Sequence, residues 1–163
     1  SLAHEPATWP IRAAAKEELP ALARLWFAAW RDAHENLVPP ALVALRDGAN
    51  FRGRLPEMTR GVGPTGGPLG FAVVDGAEID QLFVAPAARG CGLAGRLLAD
   101  GEARIRAAGH DPAFLHCAIG NLRARRFHER SGWRVVGEAW PDEVAAMVGA
   151  TRPISWRMEK ALR

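Results

Sequence analysis

Gly90 and Gly92 stand between an apolar run, Ile79 to Val84, and an amphipathic one that starts at Leu93, with Gly95 just inside the latter. Glycine lets backbone approach a ligand closely. The first N–H groups of a helix lack internal acceptors and lie at the positive end of its dipole. Together these features make an anion site, above all for phosphate. The alternative is a strand-to-helix turn in which glycine only relieves sterics. Two phosphate-binding patterns do not fit. A nucleotide P-loop needs G-x-x-x-x-G-K-[ST], and no lysine follows these glycines. The dinucleotide fingerprint G-x-G-x-x-G is matched in letters, but it requires the first strand of a repeated βαβ pattern and an acid about 20 residues on. Here the loop is mid-chain, and the next strand-like run, Ala113–Ala118, closes without an acid.

Other residues carry proton chemistry. Alternation along a strand over Glu78–Val84 places Glu78, Asp80, Leu82 and Val84 on one face and Ile79, Gln81 and Phe83 on the other. Two carboxylates on one face can take a proton from an ammonium; acids are equally ordinary at a solvated hairpin end. His116 lies on the run Ala113–Ala118, where a lone histidine is more often packing than chemistry. Arg123, Arg125, Arg126 and Arg130 share one helical segment, either as a solvated face or as contacts for an anionic ligand.

These groups need positioning elements. The spacing predicts a strand at Trp9–Ala14, a helix from Glu17 to Ala33, and a second helix from Ala41 to Leu55 interrupted near Gly48. Gly61–Pro68, with four glycines and two prolines, reads as a loop. Strands Gly70–Val74 and Glu78–Val84 follow, joined by the hairpin signal Asp75-Gly76. A helix over Leu93–Ala108 stops at Gly109, and then come strand Ala113–Ala118, helix Leu122–Ser131, strand Trp133–Ala139 and strand Ile154–Met158.

Composition narrows the class. At 163 residues and 48% hydrophobic content the chain suits one compact domain with a real core. No apolar stretch approaches the ~18 residues of a membrane span, and no signal peptide is visible. Two cysteines, Cys91 and Cys117, show neither metal-type spacing nor a disulfide framework, which points to a reducing, cytoplasmic setting. The net charge of +3 comes from arginines spread along the chain, without the clustered basic stripe of a nucleic-acid binder.

Arg89, Gly92 and Ala94, spaced R-x-x-G-x-A, resemble the pyrophosphate loop of the GCN5-related N-acetyltransferase (GNAT) family. Leu82-Phe83-Val84-x-Pro86 is similar to that family's central strand and its exit. Asn121-x-x-Ala124-x-x-Phe127-x-Glu129-x-x-Gly132-Trp133 resembles its second motif, a helix running into a strand. The likeness spans Ala72 to Val136, with Trp9–Ala14 fitting as a first strand. It implies an α/β (α+β) domain over residues 1–163, with a central mixed, mostly antiparallel sheet splayed in the middle and flanked by helices.

The resemblance also implies an activity: transfer of an acetyl group from acetyl-coenzyme A to a primary amine, by direct attack in a ternary complex and without a metal. Backbone groups of Leu82, Phe83 and Val84 would hold the pantetheine arm and the thioester oxygen. Arg89, Gly90, Cys91, Gly92, Leu93, Ala94 and Gly95 would hold the diphosphate. Asn121 and Arg126 would hold the rest of the coenzyme, although Asn121 is also a good helix cap. Glu78 sits closest to the family's strand glutamate and leads as general base, with Asp80 behind it. Relatives carry tyrosine after the motif phenylalanine; this chain has none, and His128 fills the slot as a candidate acid, provided a neighbour such as Glu129, Cys117 or His116 keeps it protonated. The acceptor pocket falls on Trp30, Asp32, His34 and Glu35, with Trp140 at its opening, which favours a cationic small-molecule amine. A protein amino terminus or lysine is an alternative acceptor, and a non-catalytic acyl-coenzyme A binding module a second alternative. Neither nucleic acid nor membrane is expected as a partner, and a homodimer is compatible with the fold.

Overall fold

The computed structural model describes residues 9–56, 59–139, 149 and 152–163. Chain order gives β1 (Ile11–Ala13), α1 (Leu19–His34), α2 (Pro40–Leu45), α3 (Gly48–Arg54), β2 (Arg60–Val62), β3 (Gly70–Asp75) and β4 (Glu78–Val84). It continues with α4 (Leu93–Ala107), β5 (Ala113–Ala118), α5 (Leu122–Arg130), β6 (Arg134–Ala139) and β7 (Ser155–Lys160). The strands form one seven-stranded mixed sheet in the order β1-β2-β3-β4-β5-β7-β6. Every pairing is antiparallel except β4 with β5. That parallel pair meets only at Glu78↔Phe114, so beyond the first residue of β4 the sheet is split.

The helices cover the two faces. On one, Leu22 and Trp26 of α1 pack with Phe51 of α3 and Phe71 of β3; Trp26 is 4.6 Å from Phe51 and 5.8 Å from Phe71, ring to ring. Truncating a buried tryptophan of this kind typically costs about 3–5 kcal/mol. On the other face α4 buries Leu93, Leu97, Leu98 and Ile105. It comes so close at Gly101 that a Cβ there would lie 2.6 Å from Ile79 Cδ1. Near β1, the buried Glu18 carboxylate accepts from Arg12 and from the Ala15 and Gly66 amides, and the Arg12 hydrogen bond holds its pKa down at about 2.

The interruption expected near Gly48 is present: α2 ends at Leu45 and α3 starts at Gly48, with Asp47 capping α3 by accepting from the Asn50 amide at 2.8 Å. Two sequence expectations change. Gly61–Pro68 is not wholly loop: Gly61 and Val62 belong to β2, paired with β1 and β3. More consequentially, β4 does not alternate regularly. Val73 pairs with Gln81 and Val74 with Ile79, so Asp80 is the extra residue of a β-bulge. Glu78, Asp80, Leu82 and Val84 therefore do not share a face. Ile79, Leu82 and Val84 pack toward α4, while Phe83 stacks on Phe71 toward α1. Among the described residues no helix is long and apolar enough to cross a membrane.

Candidate active site

The split between β4 and β5 opens into a cavity of about 500 Å³. The glycine loop follows the far end of β4 and is not among the residues that line the cavity. Gly90 and Gly92 have φ of +79° and +80°, a left-handed backbone that side chains with a Cβ resist. A Cβ at Gly90, Gly92 or Gly95 would meet nothing within 4 Å, so the hollow in front of the loop is open. The amides of Leu93, Ala94 and Gly95 precede the first backbone bond of α4, from Arg96 N–H to Gly92 O at 3.1 Å, while the Leu93 side chain is buried beneath them. Three outward amides at a helix N-terminus fit a diphosphate. Arg89 stands beside them with its guanidinium 3.6 Å from Asp32. Asp32 is 69% exposed, so this pair is weak enough for a phosphate to displace. The Cys91 thiol turns back to Arg89 O at 3.8 Å.

Along the split, backbone polarity follows strand alternation. Ala85 N–H bonds Leu69 O across β3, so Phe83 also turns its peptide groups to β3. Those of Leu82 and Val84 face the gap. Of the three residues expected to hold the pantetheine arm, two offer backbone groups to it, whereas Phe83 offers only its ring. Asn121 lines the cavity and caps α5, its Oδ1 accepting from Ala124 N–H at 3.2 Å; what it can offer a ligand is therefore its amide N–H groups. Arg126 is exposed on α5 and does not line the cavity.

The inner end carries the titratable groups. Glu78 Oε2 lies 3.3 Å from Nδ1 of His116, which projects into the cavity instead of packing beneath it. Asp80 lines the same chamber, its pKa raised by desolvation and then by the Glu78 charge, against a lowering by Arg54. Trp30 and His34 form the opposite wall, stacked at 5.0 Å. His34 Nδ1 is 2.9 Å from Trp30 O; a carbonyl only accepts, so Nδ1 carries the proton and Nε2 keeps a lone pair. Burial lowers the His34 pKa and keeps the ring neutral.

His128 also lines the cavity, but its protonation is opposite to the state that an acid would need. Burial pushes its pKa down to about 4, and its buried Nδ1 has no hydrogen-bond partner among the described residues. Glu129 is turned to Arg125, at 3.4 Å, and Cys117 is itself a neutral thiol, raised to about 11 by burial. The expectation of a neighbour that keeps His128 protonated is thus corrected: the imidazole is neutral. Glu35 is a second correction. It pairs with Arg31 at 3.0 Å on the surface and lies outside the cavity lining, because it follows the last turn of α1 on its outer side. Trp140 lies outside the described residues.

Of the charged and titratable lining residues, Arg46 and Arg54 were not singled out from the sequence, and His116 was read there as more often packing. His116 was legible in principle, since buried Ala113, Leu115 and Cys117 alternate with it. Among the described residues no group of three or more His, Cys, Asp or Glu side chains is placed to hold a metal.

Comparisons place this arrangement among known proteins. The apo form of YjaB from Escherichia coli superposes with a TM-score of 0.73 at 22% identity, covering 93% of this chain and 96% of the other. A GCN5-related N-acetyltransferase from Rhodopseudomonas palustris gives 0.74 at 21% identity, over 94% and 95%. The PaiA N-acetyltransferase from Thermoplasma acidophilum, solved with coenzyme A, gives 0.69 at 15%, over 94% and 98%. At these identities the likeness is one of fold. No curated protein sequence matches the chain. The model of the acetyltransferase (GNAT) family matches residues 8–133, across the glycine loop, the split strands and the α5 motif, and the chain belongs to that family.

Proposed function

We propose that this protein moves an acetyl group from acetyl-coenzyme A to the primary amine of a small molecule, with both reactants bound at once. One observation carries the reading: β4 and β5 pair only at Glu78↔Phe114, a cavity at their split is lined by Glu78, Asp80 and His116, and the glycine loop with open space before it follows the far end of β4. A diphosphate belongs at the loop and an ammonium in the cavity. The coenzyme A held in the structure of the PaiA relative supports the assignment at the loop.

Bound acetyl-coenzyme A supplies the thioester, the activated form of the acyl group. The loop amides and Arg89 hold its diphosphate, and Asn121 contributes amide N–H groups. The gap-facing peptide groups of Leu82 and Val84 orient the arm and meet negative charge on the acyl oxygen, as fixed dipoles in an excluded site do. Glu78 favours the proton on Nδ1 of His116, leaving Nε2 as a base for the ammonium; Asp80 adds negative charge nearby. The His34 Nε2 lone pair and the Trp30 ring complete the amine site. Neutral His128 donates an N–H hydrogen bond toward the departing sulfur. The two free cysteines suit a reducing, cytoplasmic setting.

A small acceptor is favoured over a protein chain by Leu37. From the connection between α1 and α2 it reaches Gly120 after β5, where its Cδ2 lies 2.8 Å from the place a Cβ would take. That contact bridges the two halves of the split and narrows the approach. Release of free thiol from acetyl-coenzyme A, followed across a panel of small amines, peptides and proteins, tests the reading. Turnover with a small amine is expected. Turnover with peptides alone would move the acceptor to protein, and silence with coenzyme A still bound would leave a binding module.

A further inference from the structure

The amine chamber has an aromatic wall that proton transfer alone does not call for. Four rings run in contact from α1 to the sheet. Trp30 stacks on His34 at 5.0 Å between centroids, His34 meets Phe83 edge to face at 6.5 Å, and Phe83 stacks on Phe71 at 6.0 Å. Three of these residues, Trp30, His34 and Phe83, line the cavity, and Val38 and Leu42 extend the wall from the end of α1 into α2. Burial keeps the His34 imidazole neutral, so the wall does not repel an ammonium. The charged groups nearby act on one another within the protein: Arg54 bears on Asp80, and Arg46 donates to Asn50 Oδ1 at 3.3 Å. The chamber thus offers carboxylates from Glu78 and Asp80, early in β4, and rings from α1 and the later part of β4.

We infer that the acceptor is an arylalkylamine: a primary amine directed to Glu78 and Asp80, on a short chain that ends in an aromatic ring set against Trp30, His34 and Phe83. Rings pair best when offset or edge to face, at about 4.5–7 Å between centroids. The protein's own rings already hold such spacings, so a ligand ring extends an existing arrangement. A plain alkylamine would cover the wall without the aromatic contribution. A polyamine would desolvate a second ammonium against Val38 and Leu42, which is unfavourable. A cavity of about 500 Å³ admits a ligand of one ring and a short chain. The inference rests on the acetyl-transfer reading above and narrows its acceptor.

The experiment follows thiol release from acetyl-coenzyme A with 2-phenylethylamine, 2-cyclohexylethylamine and ethylamine, alongside calorimetric titration with coenzyme A. The phenyl compound is expected to exceed ethylamine in kcat/KM by about tenfold or more, the worth of burying its ring. It should exceed the cyclohexyl compound by about threefold to tenfold, the worth of an aromatic pair beyond its area. His34→Leu and Trp30→Leu should each bring the phenyl-to-cyclohexyl ratio close to unity, mainly through KM, with coenzyme A titrating as in the unaltered protein. The ratio is taken within one protein, so an overall loss of activity cancels. Trp30 packs in the core, and Trp30→Phe, which keeps a ring, should keep the preference even where Trp30→Leu fails to fold. Equal rates with the phenyl and cyclohexyl compounds would overturn the inference while leaving acetyl transfer standing, as would turnover confined to other classes of amine. Variants that weaken coenzyme A binding and leave the ratio unchanged would also overturn it, by giving the wall to the thioester arm. Silence with every acceptor would overturn both.

Discussion

Glu78 and His116 approach to 3.3 Å, carboxylate to Nδ1; Glu78 is the one position at which β4 still pairs with β5, and His116 lies two residues past its partner Phe114. The location follows from topology. Where the strands are joined, side chains on their common face are neighbours; where they part, there is room for a substrate. The pair stands at that transition, held by strand backbone on both sides.

If this pair prepares the amine, its members act as a unit. Glu78→Gln is expected to lower kcat/KM by about a hundredfold, the scale of a lost general base. His116→Gln should do nearly the same, and the double variant little more than either alone. Additive losses, measured by thiol release at saturating acetyl-coenzyme A, would separate the two residues.

The glycine loop gives a prediction in which stability and binding move in opposite directions. Gly95 lies in the first turn of α4, lacks a positive φ, and has open space where a Cβ would go. Gly95→Ala should therefore stabilise the free protein by up to about 1 kcal/mol, as alanine does in a helix. The same methyl group intrudes on the hollow that receives the diphosphate, so coenzyme A binding should weaken at least several-fold. Thermal unfolding alongside calorimetric titration with coenzyme A checks both signs; an unchanged Kd would mean that the loop is only a turn.

The loop was legible because its signal is local: glycines of fixed spacing, an apolar strand before, an amphipathic helix after. The same holds for the order of the later strands and helices. The bulge at Asp80 was not legible, because it is decided by how β3 and β4 pair, and nothing in Glu78–Val84 marks the extra residue. Nor were Arg46 and Arg54. An arginine at a helix end reads as solvated until the helix is known to lean over a split sheet. Glu35 misled in the reverse sense: its neighbours Trp30 and His34 face the cavity, while the residue just after the helix turns back to Arg31. The β2 strand was hidden by glycine and proline around three paired residues.

His128 makes the site sensitive to acid in a defined window. Its folded pKa is about 4, below the ordinary 6.5, because burial disfavours the imidazolium. Between those two values the unfolded chain binds a proton that the folded one does not, so stability falls as pH drops from 6.5 toward 4. The full effect is at most about 3 kcal/mol, and His128→Phe, which cannot bind a proton, should lose its share of that slope. Glu18 does not blur the result: with a pKa of about 2 against an ordinary 4.5, its contribution is complete above 4.5 and fades only below it. Urea midpoints at pH 7 and pH 5 for the two proteins measure the difference. Parallel losses would show that the imidazole is solvated, and its assignment as a neutral donor to the sulfur would go with it. His128→Tyr, which supplies a phenol in the same place, is expected to keep or raise kcat, whereas His128→Phe lowers it.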